Sequence, residues 1–308
     1  MGRTKKTNDK LQKTKEILQS INKDFKRSVI KFASEENEKE RLGFGVSEID
    51  NFTGGGSVKG NFVILYGGES TGKTTLIYHH IAEQQKKGML CCLIDLEHSW
   101  EKLRAEEIGV DSKKLLLIED IEYAEQSMDI LIKLAKEKAV DSIYIDSIQA
   151  MSSHQEQESK AGKERSIEDD ETALLARKLS KFFRVAGYPV YKGEVSVILI
   201  GQLRTDIGRF GGAHSLSGGK ALKHTSKQTL FIRRGQKADA PCEKVKEYYL
   251  DDKGKERYRT INKPIGFSTV IKMEKNHLSG GKAEGNDIKI PFYFESGFIK
   301  KEKELDEV

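Results

Sequence analysis

Gly67-Gly68-Glu69-Ser70-Thr71-Gly72-Lys73-Thr74 is the stretch on which the fold turns. It follows the apolar run 62–66 and opens a helical stretch over 73–87. The pattern G-x-x-x-x-G-K-[S/T] between a strand and a helix is a phosphate-binding loop, or P-loop. Its glycines let the backbone curl so that N–H groups face phosphate oxygens. The helix N-terminus adds partial positive charge. Lys73 is the residue expected to bridge the β- and γ-phosphates of a nucleoside triphosphate, and Thr74 the one expected to ligate Mg²⁺.

Outward from the loop, apolar runs alternate with helical patterns. Strands are expected at 62–66, 90–95, 115–119, 142–146, 195–201 and 229–232. Helices are expected at 73–87, 124–138 and 171–184. Continuous apolar strands separated by helices imply an α/β fold whose mostly parallel sheet is buried on both faces. After about residue 230 the helical patterns stop. Runs at 248–250, 268–275 and 288–294 are expected as antiparallel additions to the sheet edge.

The N-terminal segment has a different character. Leu11, Ile17, Leu18, Ile21 and Phe25 mark one apolar stripe of a helix over 8–27. An extended piece follows at 28–33, then an acidic link at 34–40. Residues 1–31 carry ten Lys and Arg against Asp9, Glu16 and Asp24. Such a basic arm fits a DNA or membrane contact, or a plain solvated helix. The expected organisation is a helix-and-strand arm at 1–40, which packs on its own core or on a neighbouring subunit in oligomerisation, a core at 41–300 and a charged tail at 301–308.

Composition bounds the rest. With 37% hydrophobic and 33% charged residues the chain reads as a soluble globular protein. No apolar run approaches the roughly 18 residues of a membrane span. The basic N-terminus has no apolar stretch behind it, so no signal peptide is expected. The three cysteines, Cys91, Cys92 and Cys242, form no C-x-x-C pair, which points away from a disulfide framework or zinc site and toward a reducing cytoplasm. A net charge of +5 does not by itself indicate a nucleic-acid binder.

Two carboxylates complete the expected nucleotide site. Ile143-Tyr144-Ile145-Asp146-Ser147 is an apolar strand ending in Asp146, placed to hold the Mg²⁺ water shell. Ile94-Asp95-Leu96-Glu97-His98 ends the strand after the loop's helix. Glu97 then lies just past a strand's carboxyl end, where open α/β sheets bind ligands. It is the candidate for orienting the attacking water.

These motifs resemble the RecA family over most of the chain. Gly68-Glu69-Ser70-Thr71-Gly72-Lys73-Thr74-Thr75 is similar to that family's form of the loop, and Ile94–His98 to the segment with its catalytic glutamate. Gly201-Gln202-Leu203-Arg204-Thr205-Asp206-Ile207-Gly208 looks like its γ-phosphate-sensing glutamine and the DNA loop it controls. Gly218-Gly219-Lys220-Ala221-Leu222-Lys223 resembles the close of that loop. Lys275-Asn276 is similar to a segment that reaches a neighbouring subunit's ATP. The resemblance implies a DNA-dependent ATPase with a RecA-type core. Its catalytic set is Glu97, Lys73 and Gln202. ATP is held by Gly67, Gly68, Glu69, Ser70, Thr71, Gly72, Lys73, Thr74, Thr75 and Lys275, and Mg²⁺ by Thr74 and Asp146. DNA contacts fall to Arg204, Arg209, Gly211, Gly212, Gly218 and Gly219, with a first DNA loop at 154–170. The implied activity is ATP-dependent strand exchange by helical filaments on single-stranded DNA, in homologous recombination and repair. Its partners are single- and double-stranded DNA and further copies of the chain. Its place is the cytoplasm of a bacterial or phage-infected cell.

The pattern departs in places. His277 stands where a second lysine is frequent, Arg104 where an adenine-stacking aromatic is usual, and Glu101 where aspartate is usual. His224 replaces an interface aromatic. Tyr293 and Phe294 are substitutes for base contacts. Residues 233–268 form a charged, hairpin-like insert and 186–194 a second insert. The chain stops where the family's small C-terminal domain begins, as in compact, phage-like recombinases. Two other readings stay open: a helicase-like motor on the same core, and a DNA-binding mediator that switches with ATP without strand exchange.

Overall fold

In a computed structural model of the chain, residues 2–36, 38–148, 167–205, 214–216, 220–250, 255–278 and 283–301 are described. The expected DNA contacts Arg209, Gly211, Gly212, Gly218 and Gly219 lie outside these residues, as do 154–166 of the expected first DNA loop and 302–308 of the tail.

The chain divides into two units, Met1–Glu40 and Arg41–Val308. The first is built on helix α1 (Gly2–Asp24). Its end is fixed by Asn22, whose carboxamide oxygen accepts from the Val29 and Ile30 N–H groups while its amide donates to the Ile30 carbonyl. The piece 28–33, expected as extended, has no ladder partner among the described residues, and its last residue opens a short 3-10 turn, Ala33–Glu35.

The second unit opens with β1 (Arg41–Leu42), α2 (Ser47–Thr53) and β2 (Ser57–Val58), where β1 and β2 pair as a short ribbon. The core follows as β3 (Phe62–Gly67), α3 (Lys73–Lys86), β4 (Cys91–Asp95), α4 (Lys102–Ile108), β5 (Leu115–Ile118), α5 (Ala124–Glu137) and β6 (Ser142–Asp146). Next come α6 (Ile167–Gly193), β7 (Ser196–Thr205), β8 (His214–Leu216), α7 (Lys220–Thr225) and β9 (Gln228–Arg234). The chain continues through β10 (Cys242–Leu250), β11 (Glu256–Pro264), β12 (Gly266–Asn276) and β13 (Asp287–Tyr293). The main sheet runs β13-β12-β9-β3-β7-β6-β4-β5, parallel from β9 through β5 and antiparallel at β12 and β13.

The strands read as continuous apolar runs because both faces are covered. Successive side chains alternate between two cores. Val63 and Leu65 of β3, Cys91 and Leu93 of β4, and Ile198 and Ile200 of β7 join the core under α3. Phe62, Ile64 and Tyr66, with Cys92, Ile94, Val197 and Leu199, join the core under α5 and α6. Cys91 and Cys92 are therefore buried on opposite faces of one strand, and burial pushes both thiols up to about 12. On α5, Ala124, Met128, Leu131 and Ala135 recur at three- and four-residue steps and are all buried. Each large apolar side chain buried this way contributes about 2 kcal/mol.

Residues 186–193 of the expected second insert form the last turns of α6, with Pro189 inside the helix. Proline removes one helical hydrogen bond, yet Phe182, Phe183, Ala186 and Val190 keep the helical period and are buried, so packing carries the helix past it. The run 248–250 does not extend the sheet edge. It lies in β10, which pairs only with β11 as a separate two-stranded ribbon. Only the runs in β12 and β13 join the sheet.

Candidate nucleotide site

The register of the parallel strands collects the site. Gly67 at the end of β3 pairs with Gln202 on β7, and Asp95 at the end of β4 pairs with Asp146 on β6. In the order β3-β7-β6-β4, four residues from distant parts of the sequence meet at one carboxyl edge.

The loop between β3 and α3 is shaped by close approach. A Cβ on Gly67 would sit 1.9 Å from the Ile232 carbonyl oxygen of β9, so no larger residue fits. Gly72 has φ +93 and packs against Phe298 and Phe292, leaving no room for a side chain. Ser70 also adopts a positive φ, and its carbonyl accepts from Arg234 Nε at 3.1 Å. The Thr71 hydroxyl donates to the Gly68 carbonyl at 3.0 Å and closes the turn. Helix α3 then starts with no side-chain cap. Its first-turn N–H groups are left for an anion, as at other helix N-termini.

Lys73 is only 7% exposed. Its ammonium donates to the carbonyls of Gly67 (3.3 Å) and Gly68 (2.6 Å), and among the described residues no carboxylate lies within 4 Å of it. Burial lowers its pKa, while Asp146, Glu97 and Glu69 oppose the shift. A buried cation served only by carbonyls fits a loop that receives a polyphosphate.

Next to it, Thr74 Oγ1 donates to Asp146 Oδ2 at 2.7 Å. Asp146 is 4% exposed. Burial raises its pKa to about 6, with Glu97 and Asp95 adding repulsion and the Thr74 and Lys73 contacts opposing. Crowded carboxylates beside a helix-start hydroxyl suit a divalent cation. Among the described residues no cluster of three or more His, Cys, Asp or Glu forms a metal cage.

Glu97 follows β4. The Asp95 carboxylate builds its turn by accepting from the N–H groups of Glu97 (3.2 Å) and Trp100 (2.7 Å). Glu97 Oε1 accepts from Gln202 Nε2 at 2.8 Å and also from the Ser147 hydroxyl. The peptide bond between Asp146 and Ser147 is cis. The structure thus brings together Lys73, Thr74, Asp146, Glu97 and Gln202 at the mouth of the loop, with Glu69 and Ser70 on its exposed rim.

Other expected residues stand elsewhere in their contacts. Lys275 Nζ donates to the Lys223 (2.5 Å) and His224 (3.0 Å) carbonyls at the end of α7, beside an irregularity in the β12–β9 ladder. Arg204 lies on β7 in register with Ser215 of β8, so part of the expected DNA loop is an antiparallel extension of β7. Arg104 donates to the Glu295 carbonyl at 2.6 Å and joins α4 to the turn after β13.

The sequence reading gave no role to Ser147, Asp95, Arg234 or His79. His79 Nε2 accepts from the Phe298 N–H at 3.1 Å and anchors the segment that packs on Gly72. Asp95 and Ser147 each adjoin or neighbour a residue already singled out, and that adjacency was the available signal. Nothing local marks Arg234 or His79, because their partners are remote in sequence.

A parallel sheet, a P-loop at the carboxyl edge and paired strand-end carboxylates define the P-loop nucleoside-triphosphatase class. Comparison with known proteins narrows this. The RecA N-terminal domain family matches residues 12–273. Protein RecA of Agrobacterium fabrum is 37% identical over 234 residues, covering 74% of this chain and 62% of the relative. Protein RecA of Campylobacter hominis is 37% identical over 222 residues, covering 70% of this chain and 62% of the relative. The crystal structure of the RadB recombinase superposes with a TM-score of 0.57 at 19% identity, covering 85% of this chain and all of that one, a likeness of fold. The chain belongs to the RecA family. It spans about 62% of the length of the curated relatives it matches. No helix among the described residues is long and apolar enough to cross a membrane.

Proposed function

We propose that the chain is an ATP-dependent DNA strand-exchange recombinase that assembles as a filament on single-stranded DNA. The observation that carries this is the hydrogen bond from Gln202 to Glu97. Gln202 lies on the strand that runs on through Leu203 and Arg204 to Thr205, at the start of the expected DNA-contacting segment 203–219. One side chain therefore joins the water-orienting carboxylate to that segment.

The residues divide the work. The backbone of 67–72 and the first turn of α3 would hold the phosphates, and Lys73 would supply the buried positive charge. Thr74 and Asp146 would hold Mg²⁺, which neutralises phosphate charge when bound. Glu97 would orient the attacking water and take its proton. Gln202 would exchange its bond to Glu97 for one to the terminal phosphate, so the segment after it responds to the nucleotide. This is an order switch of the kind that γ-phosphate contacts control. Arg204 and Arg209 would meet DNA phosphates, and Gly211, Gly212, Gly218 and Gly219 would allow close backbone approach. Lys275 would act on a neighbouring copy's nucleotide.

Unit Met1–Glu40 would be the arm that docks on the next protomer, with the family core at 41–300. Leu11 and Ile17 are exposed on its helix, and Phe25 just after it. An apolar stripe left uncovered in one chain fits a surface on another copy.

The test is joint-molecule formation between a single strand and its homologous duplex, with ATP and Mg²⁺. Joint molecules that vanish in Lys73→Ala support the reading. DNA-stimulated hydrolysis without joint molecules would favour the mediator reading instead.

A further inference from the structure

Gln202 stands at one end of the expected DNA segment 203–219, and helix α7 stands at the other. The last turn of α7 is gripped by two successive residues of β12. Lys223 Nζ donates to Glu274 Oε2 at 2.9 Å, and Lys275 Nζ donates to the Lys223 and His224 carbonyls. In a regular strand, successive side chains face opposite sides of the sheet and could not both reach one helix turn. The ladder supplies the reason. Met273 pairs with Leu230 and Lys275 with Thr229, so Glu274 is an extra residue with no partner on β9. Such a bulge breaks the alternation of faces and re-aims a side chain.

The Glu274 carboxylate is also hydrogen-bonded to the Tyr66 phenol. Tyr66 is 2% exposed, and its ring lies against Phe231 with centroids 5.1 Å apart. Burial first, then the hydrogen bond and charge of Glu274, raise this phenol above its ordinary range, so it stays protonated and donates. The Lys223 ammonium stands 5.5 Å from the centre of the same ring. Leu222, the residue before Lys223, is buried in the same core as Tyr66. One carboxylate thus accepts from α7 and from β3.

Tyr66 directly precedes the phosphate loop. In the β3–β7 register it lies beside Gly201, and Gly67 lies beside Gln202. Both ends of the expected DNA segment therefore lead back to the end of β3. An ordinary surface ion pair contributes little. This one differs on two counts. The Glu274 side chain is only 26% exposed. Its second partner is a buried hydroxyl, and leaving such a donor unsatisfied is costly. None of the hydrogen bonds that shape the phosphate loop or join Thr74 to Asp146 uses Glu274.

We propose that Glu274 is a positioning residue, which fastens α7 to the strand entering the phosphate loop and so presets the far end of the DNA segment for binding. It touches neither nucleotide nor DNA. Fixing that end before DNA arrives lowers the ordering cost of binding. The inference rests on the recombinase reading in taking 203–219 as the DNA segment.

The test is the ATPase rate of the full chain, with Mg²⁺, against the concentration of a thymine oligonucleotide. In Glu274→Ala the DNA concentration for half-maximal stimulation should rise about fivefold, while the DNA-independent rate and the KM for ATP stay within about twofold. Glu274→Gln keeps an acceptor and should recover part of the loss. Tyr66→Phe removes only the hydroxyl and should shift half-saturation in the same direction as Glu274→Ala. Lys223→Met should raise it too, and the double variant of Lys223→Met with Glu274→Ala should match the weaker single, because the two groups act as one contact. Thermal melts establish that each variant folds. Half-saturation of Glu274→Ala at the wild-type DNA concentration would overturn the proposal. Additive losses in the double variant would also overturn it, by making Lys223 a direct DNA contact. Equal falls in the basal and stimulated rates would do the same, by making Glu274 a support of the nucleotide loop. Each of these leaves the recombinase reading standing. A wild type that DNA does not stimulate at any concentration would overturn the recombinase reading, and this proposal with it.

Discussion

Removing the Glu97 carboxylate should separate hydrolysis from nucleotide binding. Glu97 Oε1 is the shared acceptor for Gln202 Nε2, at 2.8 Å, and for the Ser147 hydroxyl. None of the hydrogen bonds that shape the phosphate loop uses it. Those run between Lys73 and the Gly67 and Gly68 carbonyls, and between Thr71 and Gly68. Glu97 is exposed, so Glu97→Ala leaves no cavity in the core. The expected loss is therefore in turnover. A positioned general base contributes about 10²- to 10⁴-fold, or roughly 3–5 kcal/mol of barrier at about 1.4 kcal/mol per decade. ATP affinity should change by less than about threefold, since the loop contacts persist. The assay is steady-state phosphate release beside equilibrium binding of a fluorescent ATP analogue. Glu97→Gln refines it, because the amide keeps an acceptor for Gln202 but cannot take a proton. Turnover of Glu97→Ala within tenfold of wild type would refute the assignment. Normal turnover in Glu97→Gln alone would reduce Glu97 to positioning.

Other perturbations test the surrounding structure. Lys73→Ala should abolish ATP binding and ATP-dependent DNA affinity together, measured by analogue binding and by oligonucleotide anisotropy. Gly67→Ala places a Cβ 1.9 Å from the Ile232 carbonyl and should cost about 3 kcal/mol, read as a lower urea midpoint. His79 and His80 are buried, and burial drops them from 6.5 to about 4 and about 3. Below pH 6.5 the unfolded chain therefore binds more protons than the native one, so stability is complete above 6.5 and falls with acid. Each histidine should remove about 2 kcal/mol between pH 7.5 and 5, from 1.5 pH units at about 1.4 kcal/mol each. A chemical-denaturation series across that range checks it, and His79→Gln should flatten part of the slope.

The sheet was legible because parallel strands buried on both faces leave continuous apolar runs. The run 142–146 matches β6 residue for residue, and those for β3, β4 and β9 fall within one to two residues at each end. Helix α6 was read short because Pro189 and the glycines near it weaken the local signal, while the packing of Ala186 and Val190 is a tertiary effect. The same holds for α2 and α4, seven residues each, too short to show a period. The ribbon was misplaced because alternation marks a strand without naming its partner. Within the site, the loop and both strand-end acids stood out by type and position. The contact between Gln202 and Glu97 spans 105 residues and exists only because β7 lies beside β6 and β6 beside β4, an order no local pattern records.

The proposed function requires the nucleotide site and a DNA-binding segment to be coupled through Gln202. The most direct measurement is the ATPase rate of wild type and Gln202→Ala, with and without single-stranded DNA, at two salt concentrations. Wild type should be stimulated strongly by DNA, the stimulation should fade at the higher salt as phosphate contacts require, and Gln202→Ala should retain DNA-independent hydrolysis but lose the stimulation. A wild type that ignores DNA at both salts, or a Gln202→Ala stimulated as strongly as wild type, would contradict it.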